Sequence, residues 1–353
     1  MGDCLKRKNA EHLLTGVCVL LSAHYSAADL NLTTPELVFQ DYKDLQLYIG
    51  PFDYRMLPAL LWHALAYVLG PLHRAHPRIH LPALHQPFTS NEGWFLFFLG
   101  FFAMFGTLMV ARRMLRSINP AWQFEWLALG LAYAAYFDSM LVLNRNLYYP
   151  YDTPALFFFT LLVYLAWRGR PVLFCIALAV AMLNKETACM AILIYFGLHA
   201  TRTNLRRLIP LCAGMATIVL AVHLGERALI HHVCSFCTGE AQNQLTYNLS
   251  QLSNPLFWLS ESTVFGFGYV ALILLWHFIP RRLRLTAAAT YILWLAGMSR
   301  VGILREIRIF SELSALLLLL VAVGLNQCLL NRASSTEDTA SNALPSWEQE
   351  EPA

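Results

Sequence analysis

The sequence predicts an all-α membrane protein with about ten transmembrane helices and a long first outer loop that carries amphipathic surface helices. Of its 353 residues, 57% are hydrophobic and only 13% are charged, whereas soluble domains carry about 25% charged residues. The apolar residues fall in blocks of roughly 17–25, the length needed to cross a bilayer core of about 30 Å. The net charge of +3 is small and says nothing about nucleic acid, but the basic residues stand in membrane-flanking turns, which predicts no nucleic-acid partner.

Basic residues predict how the helices are oriented. Arginine clusters follow alternate apolar blocks, and the positive-inside bias places such clusters in the cytoplasm. Both chain ends are then cytoplasmic. Only four of the 25 basic residues are lysine, a bias typical of GC-rich bacterial genomes. We therefore expect a multi-pass protein of a bacterial inner membrane, with its functional face in the periplasm.

The elements follow from this orientation in chain order. The first helix is predicted at 12–28, and the first outer loop at 29–92. Within that loop, 57–72 is interpreted as a surface segment, because a span there would put the Arg112 cluster outside. Further helices are predicted at 93–111, 122–143, 153–167, 171–183, 188–200, 208–224, 257–279, 285–298 and 310–330. A second long outer loop covers 225–256, so that 1–330 form the transmembrane domain, and 331–353 are expected to be a disordered cytoplasmic tail.

The segment 144–187 forms a predicted hairpin on which the functional interpretation depends. Two apolar runs are joined by the basic turn Arg168-Gly169-Arg170, and each run ends away from that turn in polar residues. The hairpin brings the polar residues at 144–152 and at 184–186 to one face, opposite the basic turn. Charged groups at the end of an apolar span are costly unless they meet water, a partner or a substrate.

Acidic and basic residues from several loops are expected on this outer face. A carboxylate there can accept the proton of an acceptor hydroxyl, and arginine or lysine can hold a departing phosphate. This mixture suits the transfer of a sugar from a phosphate-linked donor. The candidate residues are Asp41, Asp44, Arg55, Arg145, Asp152, Asn184, Lys185, Glu186, Arg305 and Arg308.

An acidic residue in the first outer loop, followed along the chain by short motifs at 54–58, 151–157 and 183–187, resembles the GT-C superfamily of membrane glycosyltransferases, with the protein O-mannosyltransferases and lipid A aminoarabinose transferases as the nearest analogues. The stretch 151–157, Tyr-Asp-Thr-Pro-Ala-Leu-Phe, is similar to the Asp-x-Pro-Leu motif of the second loop. The stretch 183–187, Leu-Asn-Lys-Glu-Thr, is similar to a Leu-Thr-Lys-Gly turn. The stretch 54–58, Tyr-Arg-Met-Leu-Pro, stands where those enzymes have Lys-Pro-Pro-Leu. The resemblance covers roughly residues 1–200.

The resemblance implies an inverting enzyme with a polyprenyl-phosphate sugar donor and an acceptor, whether lipid, glycan or protein, on the outer side. Asp41 or Asp44 would be the base, although their spacing differs from the family's acidic pair. Arg55, in place of lysine, would hold phosphate with Lys185 and Arg305, and Asp152 would position a substrate. Metal dependence stays open.

Each candidate also has a structural interpretation. Asp152 could cap a helix, Lys185 and Glu186 could pair with each other, and Asp138 could pair with Arg145 or join the site. Two other functions remain open: a transporter or flippase of a lipid-linked or anionic substrate, and a non-catalytic assembly subunit. The nearby Cys234 and Cys237 favour a disulfide over free thiols or a metal site.

Overall fold

The computed structural model describes residues 2–32, 34–35, 55–69, 91–140, 147–233, 243–304 and 306–342. The fold of this part of the chain is all-α, apart from a parallel pairing of two-residue strands, β1 (Thr34–Pro35) and β2 (Leu147–Tyr148). The α-helices are α1 (Gly2–Leu32), α2 (Leu57–Leu69), α3 (Asn91–Ile118), α4 (Leu129–Met140), α5 (Asp152–Trp167), α6 (Pro171–Asn184), α7 (Ala191–His199), α8 (Leu205–Val233), α9 (Leu245–Gln251), α10 (Pro255–Glu261), α11 (Gly268–Leu275), α12 (Arg281–Val301) and α13 (Ser314–Asn342). Short 3-10 segments precede α4, α7, α11 and α13.

Several of these helices are long and apolar enough to cross a membrane. Four qualify by length and composition, in α1, α3, α8 and at Ile307–Ala333, and a bent pair at Pro255–Phe278 would make a fifth. Shorter apolar helices include α2, α5 and α6. The prediction of an all-α membrane protein is therefore confirmed, and the number of spans stays a prediction.

Helix α5 lies at the centre of the helix bundle. It packs against α3, α6, α7 and α13, and its buried side chains include Leu156, Phe159 and Leu162. Close packing with α3 uses Gly106, where a Cβ atom would lie 2.6 Å from the ring of Phe157. The ends of α5 therefore have fixed positions relative to the neighbouring helices.

The basic turns lie together at one end of the bundle. Trp167, at the end of α5, donates a hydrogen bond to Ser117 near the end of α3. His199, at the end of α7, bonds to the carbonyl of Ala166, and Arg282 donates to the carbonyl of Gly197. The turns after α3, α5 and α7 and the start of α12 are thus neighbours, as the orientation predicted from arginine requires.

This basic end contains a buried ion network. Arg112 donates to Glu125 at 3.1 Å and Arg116 donates to the other oxygen of the same carboxylate at 2.7 Å. Arg112 also donates to Thr15 of α1, and Arg116 pairs with Glu11. The network ties α1 and α3 to the 3-10 segment before α4.

The prediction of one continuous helix at 257–279 is wrong, because the structure has a break within this segment. Helix α10 ends at Glu261, and the following apolar segment is bent by 58° from it. Phe265, Gly266 and Phe267 all have left-handed φ values between 57° and 65°, a conformation that no α-helix continues through. The polar residues 260–263, followed by Gly266 and Gly268, are the sequence signal for this break.

Two further segments, predicted as a surface segment and as a tail, contain helices. The segment predicted at the surface contains α2, in which Ala59 and Trp62 are buried, with Trp62 edge-on to Phe95. Its other face is exposed and apolar, including Tyr67. Helix α13 continues to Asn342, so the predicted tail is helical as far as that residue, and 343–353 lie outside the described residues.

Candidate functional site

The turn between α6 and the 3-10 segment Glu186–Met190 brings three predicted site residues to the start of α5. Asn184, the last residue of α6, donates to the carbonyl of Tyr151 at 2.9 Å. Lys185 then leaves the helix in an extended conformation (φ −163°, ψ 129°). Successive side chains of extended backbone point in opposite directions, and Lys185 and Glu186 indeed reach different partners.

Lys185 lies between two carboxylates. Its Nζ is 3.1 Å from Asp152 Oδ1 and 2.7 Å from Glu312 Oε1. The Lys185 side chain is 5% exposed and that of Glu312 is 1% exposed. Thr187 donates its hydroxyl to the second oxygen of Glu312 at 2.6 Å. The turn is therefore tied both to α5 and to the 3-10 segment Ile307–Leu313.

Asp152 bridges two cations. Its Oδ2 accepts a hydrogen bond from Arg308 NH1 at 2.6 Å, while its Oδ1 faces Lys185. Arg308 also pairs with Glu306, and its guanidinium lies 3.8 Å from the centre of the Tyr149 ring. The capping prediction for Asp152 is wrong, since α5 begins at this residue and its oxygens contact cations instead of backbone N–H groups.

Arg55 and Glu186 form a two-bond ion pair on the other side of the turn. Arg55 donates through Nε and NH2 to the two oxygens of Glu186, at 3.1 and 2.7 Å. The Arg55 guanidinium lies 4.5 Å from the centre of the Tyr151 ring, and Lys185 Nζ is 5.9 Å from the same ring. The Tyr151 ring is therefore close to both Arg55 and Lys185.

We call the charged side chains that form these ion pairs the ion cluster. It holds three cations and four carboxylates, drawn from four separated stretches of sequence. Burial alone would lower the pKa of Lys185, but the carboxylates of Asp152 and Glu312 outweigh it and raise that pKa above the ordinary lysine value. Lys185 is therefore charged at neutral pH. The members are Arg55, Asp152, Lys185, Glu186, Glu306, Arg308 and Glu312.

Both described flanks of the first loop lie beside the ion cluster. Strand β1 pairs with Tyr148, directly before Tyr149 and Tyr151, whose rings contact each other at a tilt, and the loop returns at Arg55. Asp29, near the end of α1, is buried and interacts electrostatically with Asp152. The ion cluster therefore lies at the end of α1 opposite to Glu11 and the basic network.

The structure brings together five of the predicted site residues, Arg55, Asp152, Lys185, Glu186 and Arg308, while Asn184 positions the turn. The remaining four predicted residues lie outside the described part of the chain: Asp41, Asp44, Arg145 and Arg305. The alternative pairing of Lys185 with Glu186 is wrong, because each has its own partner.

Glu312 and the two tyrosines that contact the cations of the ion cluster were not among the residues predicted from the sequence. Glu312 stands inside the apolar run predicted as the last helix, and an acid in such a run is itself a signal of function. Tyr149 and Tyr151 flank the Asp152 motif, but tyrosines at the end of a span are also common interface anchors.

Asp138 is not part of the ion cluster and instead contacts the helix break after α10. Its Oδ1 accepts a hydrogen bond from the backbone N–H of Phe265 at 2.9 Å, across the helix break. The predicted partner Arg145 lies outside the described residues, as do Cys234 and Cys237. Within the described ranges, no group of three or more His, Cys, Asp or Glu residues is arranged to hold a metal ion.

The fold and the site define an all-α membrane protein with a buried ion cluster at one end of its helices. No family model, curated protein or solved structure matches the chain. The function is therefore inferred from the residues themselves.

Proposed function

We propose that the protein is an inverting membrane glycosyltransferase, which moves a sugar from a polyprenyl-phosphate donor to an acceptor at the end of the bundle that carries the ion cluster. One observation supports this proposal most strongly. Lys185 and Arg308, chosen from sequence for phosphate chemistry, both contact the candidate carboxylate Asp152, although up to 156 positions separate them from it.

The two buried cations retain hydrogen-bond donors for a phosphate. A lysine ammonium has three N–H groups and a guanidinium has five. Contacts with described carboxylates occupy two directions on Lys185 and two on Arg308. The carboxylates therefore fix both cations in place, and the remaining donors can bind phosphate oxygens as negative charge develops on the leaving group.

The net charge of the ion cluster limits which anions its seven residues can bind without help from other residues. Three cations and four carboxylates give a formal charge of −1, so a dianionic phosphate needs additional positive charge. Arg305 immediately precedes Glu306 in the sequence, and we assign it to this role. Arg145, in the loop before Tyr149, is a second source of positive charge.

The base in this proposal is Asp41 or Asp44. Every carboxylate of the ion cluster already contacts a cation, which makes it a weak proton acceptor. The loop that carries Asp41 and Asp44 leaves from β1 and returns at Arg55, both beside the ion cluster. The base takes the acceptor's hydroxyl proton, the acceptor oxygen bonds to the anomeric carbon, and the phosphate leaves with the electron pair of the broken C–O bond.

The proposal includes an orientation in the membrane. Ten spans, with the basic turns in the cytoplasm and the ion cluster in the periplasm of a bacterial inner membrane, satisfy the positive-inside bias. The two ends can be distinguished by labelling single cysteines placed at Arg113 and at Glu306 with a membrane-impermeant maleimide. We expect labelling from outside at position 306 alone. Labelling from outside at position 113 would reverse the orientation.

Transfer is tested with membranes that contain the protein and isotope-labelled polyprenyl-phosphate sugars, offered one sugar at a time. We expect Lys185→Met and Asp152→Asn to lower the rate per folded protein at least about a hundredfold, the typical loss for a missing charge-stabilising group. Lys8→Met, at an exposed lysine, is the matched control. Equal transfer by wild type and both variants would refute the proposal.

A transporter of a lipid-linked or anionic substrate is the second candidate, and the helix break favours it. Discontinuous helices with nearby acids form the substrate and ion sites of many transporters, and α10 ends at Glu261 close to such a break. Purified protein in liposomes separates the candidates. Movement of intact labelled lipid-linked sugar between leaflets, without release of the sugar, would replace the transferase proposal.

A further inference from the structure

We propose that the arginine-rich starts of α6 and α8 form a binding site for an anionic phospholipid whose headgroup carries two phosphates. The site lies at the basic end of the bundle, away from the ion cluster, and it does not depend on the proposed transfer reaction. Three features support it: contacts that hold two basic turns together, five arginines without an acid beside them, and exposed apolar side chains that continue from these arginines along both helices.

The two basic turns that border the site are in contact. His199, at the end of α7, bonds to the carbonyl of Ala166 at 2.7 Å, directly before the turn 168–170. Gly169 in that turn has a φ of +60°, and a Cβ atom there would lie 3.3 Å from the His199 ring. The chain then turns at 200–204 and begins α8, which packs against both α6 and α7. The arginines of the two turns therefore border one surface.

The arginines of this surface have no acid beside them. No Asp or Glu stands in the sequence between 153 and 185 or between 187 and 225, and no ion pair between described residues includes these arginines. Glu11 and Glu125, at the same end of the bundle, are paired with arginines of α1 and α3. The surface therefore presents five exposed positive charges that the described residues do not neutralise. They belong to Arg168, Arg170, Arg202, Arg206 and Arg207.

Apolar side chains continue this surface along both helices. On α6, Val172, Leu173 and Ile176 follow Arg170 within two turns, and on α8, Ile209 follows the last of the arginines. All four apolar side chains are more than half exposed. Cations at the edge of the surface and apolar groups beyond them match the two parts of a phospholipid, its phosphate headgroup and its acyl chains. A soluble anion would use only the first part.

The arrangement of the arginines identifies the class of lipid. A guanidinium binds phosphate oxygens through paired N–H groups, and basic pockets between membrane helices are typical sites for headgroups with more than one phosphate. Arg168 and Arg170 stand at the start of α6, and Arg206 and Arg207 stand at the start of α8, where the helix dipoles add partial positive charge. Each helix start therefore holds one phosphate, and a headgroup with two phosphodiesters bridges them.

Lipid binding can be measured by native mass spectrometry of the purified, delipidated full-length protein in detergent micelles. The probes are tetraoleoyl diphosphatidylglycerol, dioleoyl phosphatidylglycerol and dioleoyl phosphatidylcholine. We expect one saturable site for the first probe, with a Kd at least about tenfold lower than for the second. The double variant Arg170→Gln/Arg206→Gln should raise this Kd at least about tenfold, because it removes one cation from each helix start. Both side chains are exposed, so the variant is expected to fold.

Arg227→Gln/Arg300→Gln is the matched control, and we expect its Kd to stay within about twofold of wild type. Both of these arginines are exposed, and Arg227 lies on α8 itself, about 30 Å along the helix from Arg207. Equal Kd values for the three lipids, or an equal loss of affinity in the site variant and the control, would overturn the proposal.

Two other occupants of the arginine surface are separated by the same measurement. The deacylated headgroup of diphosphatidylglycerol should bind at least about tenfold more weakly than the lipid; equally tight binding would make this a site for a soluble phosphate compound. Lipid binding that appears only after removal of 343–353 would assign the arginines to the acidic stretch 348–351 of the chain itself. Either result would overturn the proposal.

Discussion

Replacing Lys185 by methionine is expected to destabilise the fold strongly. Methionine matches the length of the side chain but removes the charge between Asp152 and Glu312. Asp152 keeps its bond to Arg308 at 2.6 Å, so the main cost falls on Glu312. That carboxylate is 1% exposed and would retain only the hydroxyl of Thr187.

Removing one partner of such a buried pair costs about 3–5 kcal/mol. The free energy of unfolding can be measured by equilibrium titration with SDS in mixed micelles. A second substitution, Glu312→Gln, removes the uncompensated charge and should restore about 2 kcal/mol. Lys8→Met should stay within about 0.5 kcal/mol of wild type. A loss below about 1 kcal/mol for Lys185→Met would refute the reasoning, because that is the range of solvent-exposed pairs.

Three further predictions use the same titration. Arg55→Lys keeps the charge but loses the two-bond geometry with Glu186, so we expect a loss of about 1 kcal/mol; stability equal to wild type would contradict the bidentate pair. Glu125→Gln should cost about 3 kcal/mol or more because it leaves Arg112 buried without its partner, yet sugar transfer per folded molecule should not change, since this network lies at the opposite end. The raised pKa of Lys185 means that its stabilising contribution is complete below the ordinary lysine pKa of about 10.4 and is lost only as pH rises through the higher folded-state value. The stability difference between wild type and the double variant Lys185→Met/Glu312→Gln, which lacks the uncompensated carboxylate, should therefore be constant from about pH 6 to about pH 9, and a decline over that range would show that Lys185 is not held charged.

The hairpin of α5 and α6 shows how far the sequence predicts this site. Two apolar runs with a basic turn place their far ends together, and the structure has Asn184 bonded to Tyr151 at that end. The pattern predicts the shared end but not the contacts. Lys185 and Glu186 are neighbours in sequence, and only the extended conformation at Lys185 sends them to different partners.

The remaining contacts depend on packing between distant segments. Glu312 reaches Lys185 because the last span begins beside α5, and nothing in the run around Glu312 specifies that neighbour. The break after Glu261 is a similar case. The bond from Phe265 to Asp138 joins positions 127 residues apart and could not be predicted from the run itself, whereas Gly266, Gly268 and the polar residues 260–263 were a local signal for a break.

The most direct test is a structure of the protein bound to a polyprenyl phosphonate sugar, whose carbon–phosphorus linkage cannot be cleaved by transfer. Our account predicts phosphonate oxygens within hydrogen-bond distance of Lys185 Nζ and the Arg308 guanidinium, with the sugar facing the first loop. A phosphonate bound at the basic end beside Arg112, or a bound analogue that contacts neither Lys185 nor Arg308, would contradict it.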